Sequence, residues 1–477
     1  MSILIMVSIP PITRVVKLVS KYFSHLFRSV GFSFTSSNWP ADEKETGENI
    51  GQGTLEGAVI SAANIDYSMN RFFSVSKEEL SYGGLKLQPL IFQDDISRTA
   101  TSVMAAQAGN NIIEAAMETK LLDFNLDKSC YLIMGSNKNK KEIESELEVS
   151  PLTLCGKPMK TVPAEKYLGD MISCNGLAAS VEATVVKRKS QVFSNILEIK
   201  AVIEDYRATV IGGIAAGIEI WELAIMPFLM NNSETWVEIS LKTIENLDNL
   251  QNTFYRYLLA TPRSCPIPAL LWETGGLLME HRIAKKKLLF YHHLVSLPED
   301  TLASEVARMQ STLSYPGLIS ECEVLLMNYE LPPVSSTSKL SWKKLVNQKI
   351  CEKNRYDLLE KIRPPAYKKL DFETLSAEKF ERKEYLDKLN LADARLRFSL
   401  RAKMTKTVQM NFKNDRKYKQ NQWKCQDCQI PDTQDHILRC PAYQSLRADK
   451  DLSNDKDLVS YFRKVIKIRE KLEDERT

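Results

Sequence analysis

Residues 85–95 read Leu85-Lys86-Leu87-Gln88-Pro89-Leu90-Ile91-Phe92-Gln93-Asp94-Asp95, an apolar run of strand length that ends in two adjacent carboxylates. Apolar residues bounded by turn formers predict a strand, which puts the acidic pair at the tip of a strand–turn–strand unit. Two carboxylates at one tip can present an oxygen cluster to Mg²⁺, the ion of phosphoryl transfer. By itself an Asp-Asp pair is more often a solvated turn, so the neighbouring sequence has to decide.

Upstream stands Gly51-Gln52-Gly53-Thr54-Leu55-Glu56-Gly57, with a helix-like stretch at 62–73 after it. Downstream come Leu122-Asp123-Phe124-Asn125-Leu126-Asp127-Lys128, then Lys166-Tyr167-Leu168-Gly169 and Gly176. Runs 85–92, 129–134 and 167–172 have strand length, so the region from 51 to about 176 predicts an α+β fold. Beyond it, 179–200, 208–228, 233–259 and 278–297 carry apolar residues three and four apart, punctuated by Pro227, Pro262, Pro266 and Pro268, which predicts helices.

Near the C-terminus the spacing Cys425-x2-Cys428-x7-His436-x3-Cys440 is that of two ligand pairs closing on a tetrahedral Zn²⁺. All four positions carry ligands, so the expected site is structural, and its binding energy would fold a segment with little core of its own. Ahead of it, after Pro332, Pro333 and a Ser/Thr-rich linker at 335–338, residues 339–424 hold 24 Lys+Arg against 11 Asp+Glu. The whole chain has only 64 against 60, a formal charge of +4, so the excess of 13 is local. Such a concentration is the footprint of a nucleic-acid-binding face, and a solvated helical surface gives the same count.

In this order and spacing the elements resemble the reverse transcriptases of non-LTR (LINE-type) retrotransposons. The matching parts are a Gln-Gly motif entering a helix, a Tyr/Phe-x-Asp-Asp hairpin, an Asn-x-x-Lys segment and a Tyr-Leu-Gly strand. The likeness continues through a helical thumb and post-thumb region with Glu273-Thr274-Gly275 and residues 282–290, and ends in a Cys-Cys-His-Cys knuckle. It spans about residues 49–470. The resemblance implies an RNA-directed DNA polymerase working by two-metal nucleotidyl transfer, with RNA template and DNA primer or target as partners and Mg²⁺ and Zn²⁺ as ions. Asp94 would be a catalytic Mg²⁺ ligand and Asp95 a supporting carboxylate. Gln52 and Gly53 would line the template and incoming-nucleotide site, where glycine permits close backbone approach. Lys128 would stand near the triphosphate, offsetting charge on the leaving pyrophosphate.

The sequence departs from that family at Phe92 and Gln93, where Tyr and Ala are commoner, and more seriously upstream. The family's first palm motif supplies a further metal-binding Asp, yet no acidic residue precedes Asp42, and Asp42, Glu43, Glu45 and Glu48 have no strand before them. Two-metal transfer needs carboxylates on both sides of the metal pair. The expected identity is therefore the C-terminal part of a polymerase, without fingers or endonuclease. Its alternative is a non-catalytic RNA- or DNA-binding protein that keeps the basic helices and the knuckle. A self-associating structural protein would leave the ordered motifs to coincidence.

Expected divisions are a motif-free segment 1–48, a palm remnant 49–178, a helical thumb and post-thumb region 179–330, a linker and basic helical region 331–420, the knuckle 421–445 and a C-terminal helix 446–477. In 1–41 the near-helical spacing of Val15, Val16, Leu18, Val19, Tyr22, Phe23 and Leu26 among Arg14, Lys17, Lys21 and Arg28 is that of an amphipathic presequence or of an ordinary core helix. Hydrophobic residues at 44% exclude general disorder. Nine cysteines with one C-x-x-C pair read as a reduced intracellular protein, nuclear or cytoplasmic, rather than a disulfide scaffold. No apolar run reaches membrane-spanning length, so no membrane is expected, and no obligate protein partner is implied.

Overall fold

The computed structural model describes residues 2–8, 80–82, 85–87, 89–92, 95–118, 123–205, 211–313, 317–334, 337–363, 377–404, 424–425 and 427–474. It is a mostly helical α+β structure, and it divides into two compact units, Met1–Ser180 and Val181–Thr477. The expected divisions at 330/331 and 420/421 both fall inside the second unit.

In the first unit the strands are β1 (Ser2–Ser8), β2 (Leu80–Tyr82), β3 (Leu85–Leu87), β4 (Leu90–Phe92), β5 (Asp95–Ala100), β6 (Cys130–Met134), β7 (Thr153–Leu154), β8 (Lys157–Pro158), β9 (Lys160–Thr161), β10 (Ala164–Tyr167) and β11 (Asp170–Ser173). The run at 85–92, expected as one strand, is two, because Pro89 has no N–H to donate to a ladder. β3 pairs back on β2, while β4 joins the main sheet, whose order is β4-β5-β1-β6-β9. Every pair in it is antiparallel except β6 with β9. The stretch 167–172, also expected as a strand, contains the turn of the β10–β11 hairpin. Tyr167 pairs with Asp170 across Leu168 and Gly169, which both have positive φ, 47° and 95°. A two-residue loop with both φ positive is the turn that matches strand twist.

Residues 2–8, assigned to no element from sequence, form the central strand β1, which is bonded to both β5 and β6. The run Cys130-Tyr131-Leu132-Ile133 has no polar alternation because β6 is covered on both faces. Tyr131 and Ile133 pack with Ile96, Val103, Ile113, Ile143 and Leu147, under helices α1 (Val103–Glu118) and α2 (Asn137–Val149), whereas Cys130 and Leu132 pack with Met6 on the other face. Arg98 of β5 is buried beneath α1 and donates to the carbonyls of Ala105 (2.8 Å) and Ala106 (3.1 Å). It fits only because position 109 has no side chain: a Cβ there would lie 1.4 Å from Arg98 Nη1.

Helix α3 (Leu177–Asp205) leads into the second unit. There follow α4 (Gly213–Ile220), a π-helical turn (Trp221–Ile225), α5 (Met226–Leu229), α6 (Leu241–Leu259), α7 (Ile267–Thr274), α8 (Met279–Val295), α9 (Leu302–Leu313), α10 (Leu318–Asn328), α11 (Lys339–Ile362), α12 (Tyr385–Lys388), α13 (Leu391–Arg401), α14 (Gln434–Arg439), α15 (Gln444–Arg447) and α16 (Asp455–Asp474). The helix expected at 208–228 is thus interrupted. Pro227 cannot donate and crowds the carbonyl four residues back, and the turn before it widens so that Met226 N–H reaches Trp221 O. The helix expected from 233 starts instead at Leu241, because Ser240 is its N-cap and accepts from Thr243 N–H at 3.1 Å.

One large core runs through this unit. Trp221 stacks on Phe254 at 4.7 Å, and Trp272, Leu358, Phe398 and Val459 join the same cluster. At the end of the expected linker Ser338 caps α11 by accepting from Ser341 N–H, and in α11 Trp342 donates to Leu288 O at 3.0 Å. Glu273 and Gly275, singled out from sequence, hold residues 377–404 against α7. Buried Glu273 takes Arg401 Nε on both oxygens at 2.8 Å, and its carbonyl accepts from Lys383 N–H. Gly275 ends α7 at φ 68°, where a Cβ would lie 2.7 Å from Arg382 N. Arg282 grips Glu222 of the π turn through two bonds of 2.8 and 2.6 Å. Among the described residues no helix is long and apolar enough to cross a membrane.

Candidate functional site

Cys425, Cys428, His436 and Cys440 converge, with one potential ligand atom from each lying within 4.8 Å of all the others. The backbone arranges this in two steps. Cys425 N–H bonds Ile430 O (2.7 Å) and Gln429 N–H bonds Cys425 O (2.8 Å), with Gln429 at φ 58°, so the Cys-x-x-Cys segment folds into a knuckle. Thr433 then caps α14, its Oγ1 accepting from His436 N–H at 3.0 Å, and one helical pass delivers His436 and Cys440 to the same side.

Tetrahedral zinc at its usual sulfur distance separates two thiolates by about 3.8 Å. Here Cys425 Sγ lies 3.9 Å and Cys428 Sγ 3.4 Å from Cys440 Sγ. Burial pushes the Cys425 and Cys440 thiols up, and His436 Nε2 is buried with no hydrogen-bond partner. Three thiols beside an orphaned imidazole nitrogen are the donor set that a structural Zn²⁺ satisfies, since the metal takes thiolates and neutral imidazole. A Cys-Cys-His-Cys cluster able to hold a metal ion is therefore present, compatible with structural zinc.

The knuckle differs from expectation in having a core. Ile437, Cys440 and Tyr443 pack with Leu400 of α13 and with Tyr461, Phe462 and Val465 of α16. Tyr461 donates to Ile437 O (2.6 Å), and Arg447 to Cys440 O (2.8 Å). Asp432, fully buried, is gripped by Arg469 through bonds of 2.8 and 2.7 Å, with the guanidinium over the Tyr443 ring. Asp432, Tyr461 and Arg469 were not singled out from sequence, where nothing ties an acidic loop residue to a helix some 37 positions on.

The basic segment is less free than its count implies. Lys349 pairs with Glu330, Lys353 with Asp357, Arg363 with Glu360, Lys383 with Glu378, Arg382 with Asp387, Arg397 with Asp455 and Arg401 with Glu273. Lys343 and Lys344, on the outer face of α11, are exposed. Residues 364–376 and 405–423, with much of the remaining basic charge, lie outside the described residues.

Of the other expected site residues, Gln52, Gly53 and Asp94 lie outside the described residues. Asp95 opens β5, half-buried, paired in register with Phe92 on one side and with Ser8 on the other. Lys128 is exposed in the turn before β6, its N–H bonded to Asn125 O at 3.1 Å. Because Met6 pairs with Cys130 and Ser8 with Asp95, the topology brings Asp95 and Lys128 to one end of the sheet. Strand β1, Ser-Ile-Leu-Ile-Met-Val-Ser, contributes no carboxylate to that end. No protein-family model matches the chain, and no curated protein matches it.

Proposed function

We propose that the chain is a reverse-transcriptase-derived protein of LINE type that binds RNA and DNA. The observation that carries this is the antiparallel strand order β4-β5-β1-β6, in which the strand that Asp95 opens lies beside a central strand. This is the order of a split β-α-β sheet, which supports the palm reading, and it puts Asp95 and Lys128 at one end. Helices follow it, and a Cys-Cys-His-Cys cluster comes after them, ahead of helices α15 and α16, in the order expected of such an element.

In that family Asp94 and Asp95 would hold Mg²⁺ for nucleotidyl transfer from dNTPs, with Gln52 and Gly53 at the template and Lys128 at the triphosphate. A second reading, binding without chemistry, is favoured by the composition of β1: Ser8 stands opposite Asp95 in the ladder, and no residue of that strand is acidic. Binding to labelled single-stranded RNA, duplex DNA and an RNA–DNA hybrid, measured by anisotropy across a salt series, tests the shared part. Absence of binding to all three at low salt rejects both readings. Primer extension separates them.

A further inference from the structure

A second cluster of metal-competent side chains lies far from the knuckle in sequence. Glu280 and His281, at the start of α8, and Asp357 on α11 bring one carboxylate, one imidazole and a second carboxylate within 4.8 Å of one another. His281 is only 2% exposed, and its Nε2 is buried with no hydrogen-bond partner. That nitrogen is 3.1 Å from Asp357 Oδ2, yet the approach does not meet the geometry of an N–H···O bond. A buried imidazole nitrogen in close contact with a carboxylate oxygen, but without an aligned hydrogen bond to it, is placed as two ligands of one cation would be.

The surrounding shell is consistent with that partner. His281 Nδ1 lies 2.6 Å from Tyr329 Oη, so an Nδ1–H can donate to the tyrosine and leave the Nε2 lone pair facing the carboxylates. Lys353 Nζ holds the other Asp357 oxygen, Oδ1, at 3.0 Å, which keeps Oδ2 on the histidine side. Nitrogen and oxygen ligands on one divalent ion at roughly 2.0–2.2 Å are separated by about 3.0–3.4 Å, and the observed 3.1 Å lies within that span. Glu280 is exposed and supplies the third oxygen from the solvent side, so positions remain open for water.

We propose that Glu280, His281 and Asp357 form a second cation site, of nitrogen and oxygen donors only, that takes a first-row divalent metal and ties α8 to α11. Imidazole beside carboxylate favours Zn²⁺, Co²⁺ or Mn²⁺ over Mg²⁺ or Ca²⁺.

Cobalt titration of the full chain, reduced and stripped of metal, tests this, because Co²⁺ bound by thiolates gives a charge-transfer band that a nitrogen–oxygen site lacks. Two equivalents should remain after gel filtration, while the thiolate band saturates at one. Glu280→Gln and Asp357→Asn should each bind a single equivalent with the thiolate band intact, which also reports that the chain is folded. Tyr329→Phe should weaken the second equivalent at least about tenfold. A single equivalent in the unaltered chain, or two retained in both carboxylate variants, would overturn the proposal and leave His281 a buried core histidine.

Discussion

Arg469 and Asp432 meet through two parallel hydrogen bonds of 2.8 and 2.7 Å, joining the last helix to the loop between the two ligand pairs of the cysteine–histidine cluster. Asp432 has no exposed surface, so removing its partner leaves an uncompensated buried carboxylate. Breaking a buried pair from one side costs about 3–5 kcal/mol. Arg469→Met is expected to destabilise the second unit by that order in urea unfolding and to speed loss of bound zinc. Asp432→Asn with Arg469→Met together should recover part of the loss, because neither charge is then stranded.

For the cluster itself, Cys428→Ser is expected to lose one equivalent of zinc in the reduced protein, read by elemental analysis. The packing of Tyr443, Tyr461 and Phe462 behind it changes what chelation should do. Metal removal should lower the melting temperature and loosen the knuckle while helix α16 keeps its far-ultraviolet signal. Full zinc content in Cys428→Ser would remove that cysteine from the ligand set.

In the first unit the sharpest steric demand is at Gly109. Alanine there would set a methyl 1.4 Å from Arg98 Nη1, and the planar guanidinium is held by two carbonyls. Gly109→Ala should cost about 1–3 kcal/mol, in the range of overpacked cores. Combined with Arg98→Met the same substitution should become milder, since the group it collides with is gone. A double-mutant cycle measures this directly.

How much was legible in the sequence follows from which signals are local. Cysteine and histidine spacing is local, and the four ligands converge where their spacing places them. Long helices of strong period were visible as well, while their interruptions depended on Pro227 and Ser240, single residues acting on backbone geometry. The β10–β11 turn was hidden because Leu168-Gly169 is not the Asn-Gly pair that marks such loops, although the loop has the same positive φ values. Strand β1 was missed for a different reason. A five-residue apolar run, Ile3–Val7, carries no periodicity, and the place of β1 between β5 and β6 is a long-range property that no window of sequence contains. The charge count misled in the same way, because the acidic partners of Arg397 and Arg401 lie on distant elements.

Those ion pairs shape the salt dependence of binding. If all 13 excess charges of residues 339–424 met phosphates, the logarithmic slope would approach roughly −12. Lys349, Arg397 and Arg401 are engaged by Glu330, Asp455 and Glu273 from outside the segment, so the slope should be shallower by about 2–3, at 0.7–0.9 each. Replacing exposed Lys343 and Lys344 by Gln should reduce it by about 1.4–1.8 if both touch phosphate, at 0.7–0.9 each. Affinity that stays flat from low to high salt would return this surface to ordinary solvation.

Primer extension by the chain as it stands is expected to fall far below that of a complete reverse transcriptase, with Mg²⁺, dNTPs and an RNA template supplied. In-line phosphoryl transfer needs metal ligands on both sides of the reacting group. Asp95 opens β5 and Asp94 is its neighbour in sequence, and the neighbouring strand offers Ser8 opposite Asp95 where an acidic ligand would be needed. The nearest alternatives in sequence, Asp42, Glu43, Glu45 and Glu48, form a polar run, and a ligand misplaced by about 1 Å can cost roughly a hundredfold in rate. The comparison to run is this chain beside Asp94→Ala and Ser8→Asp. Equal inactivity of the chain and Asp94→Ala supports binding without chemistry. Extension gained in Ser8→Asp and lost again when Asp94→Ala is added would identify the missing carboxylate as the reason. Robust synthesis by the unaltered chain that depends on Asp94 would refute the expectation and show that another acidic residue completes the site.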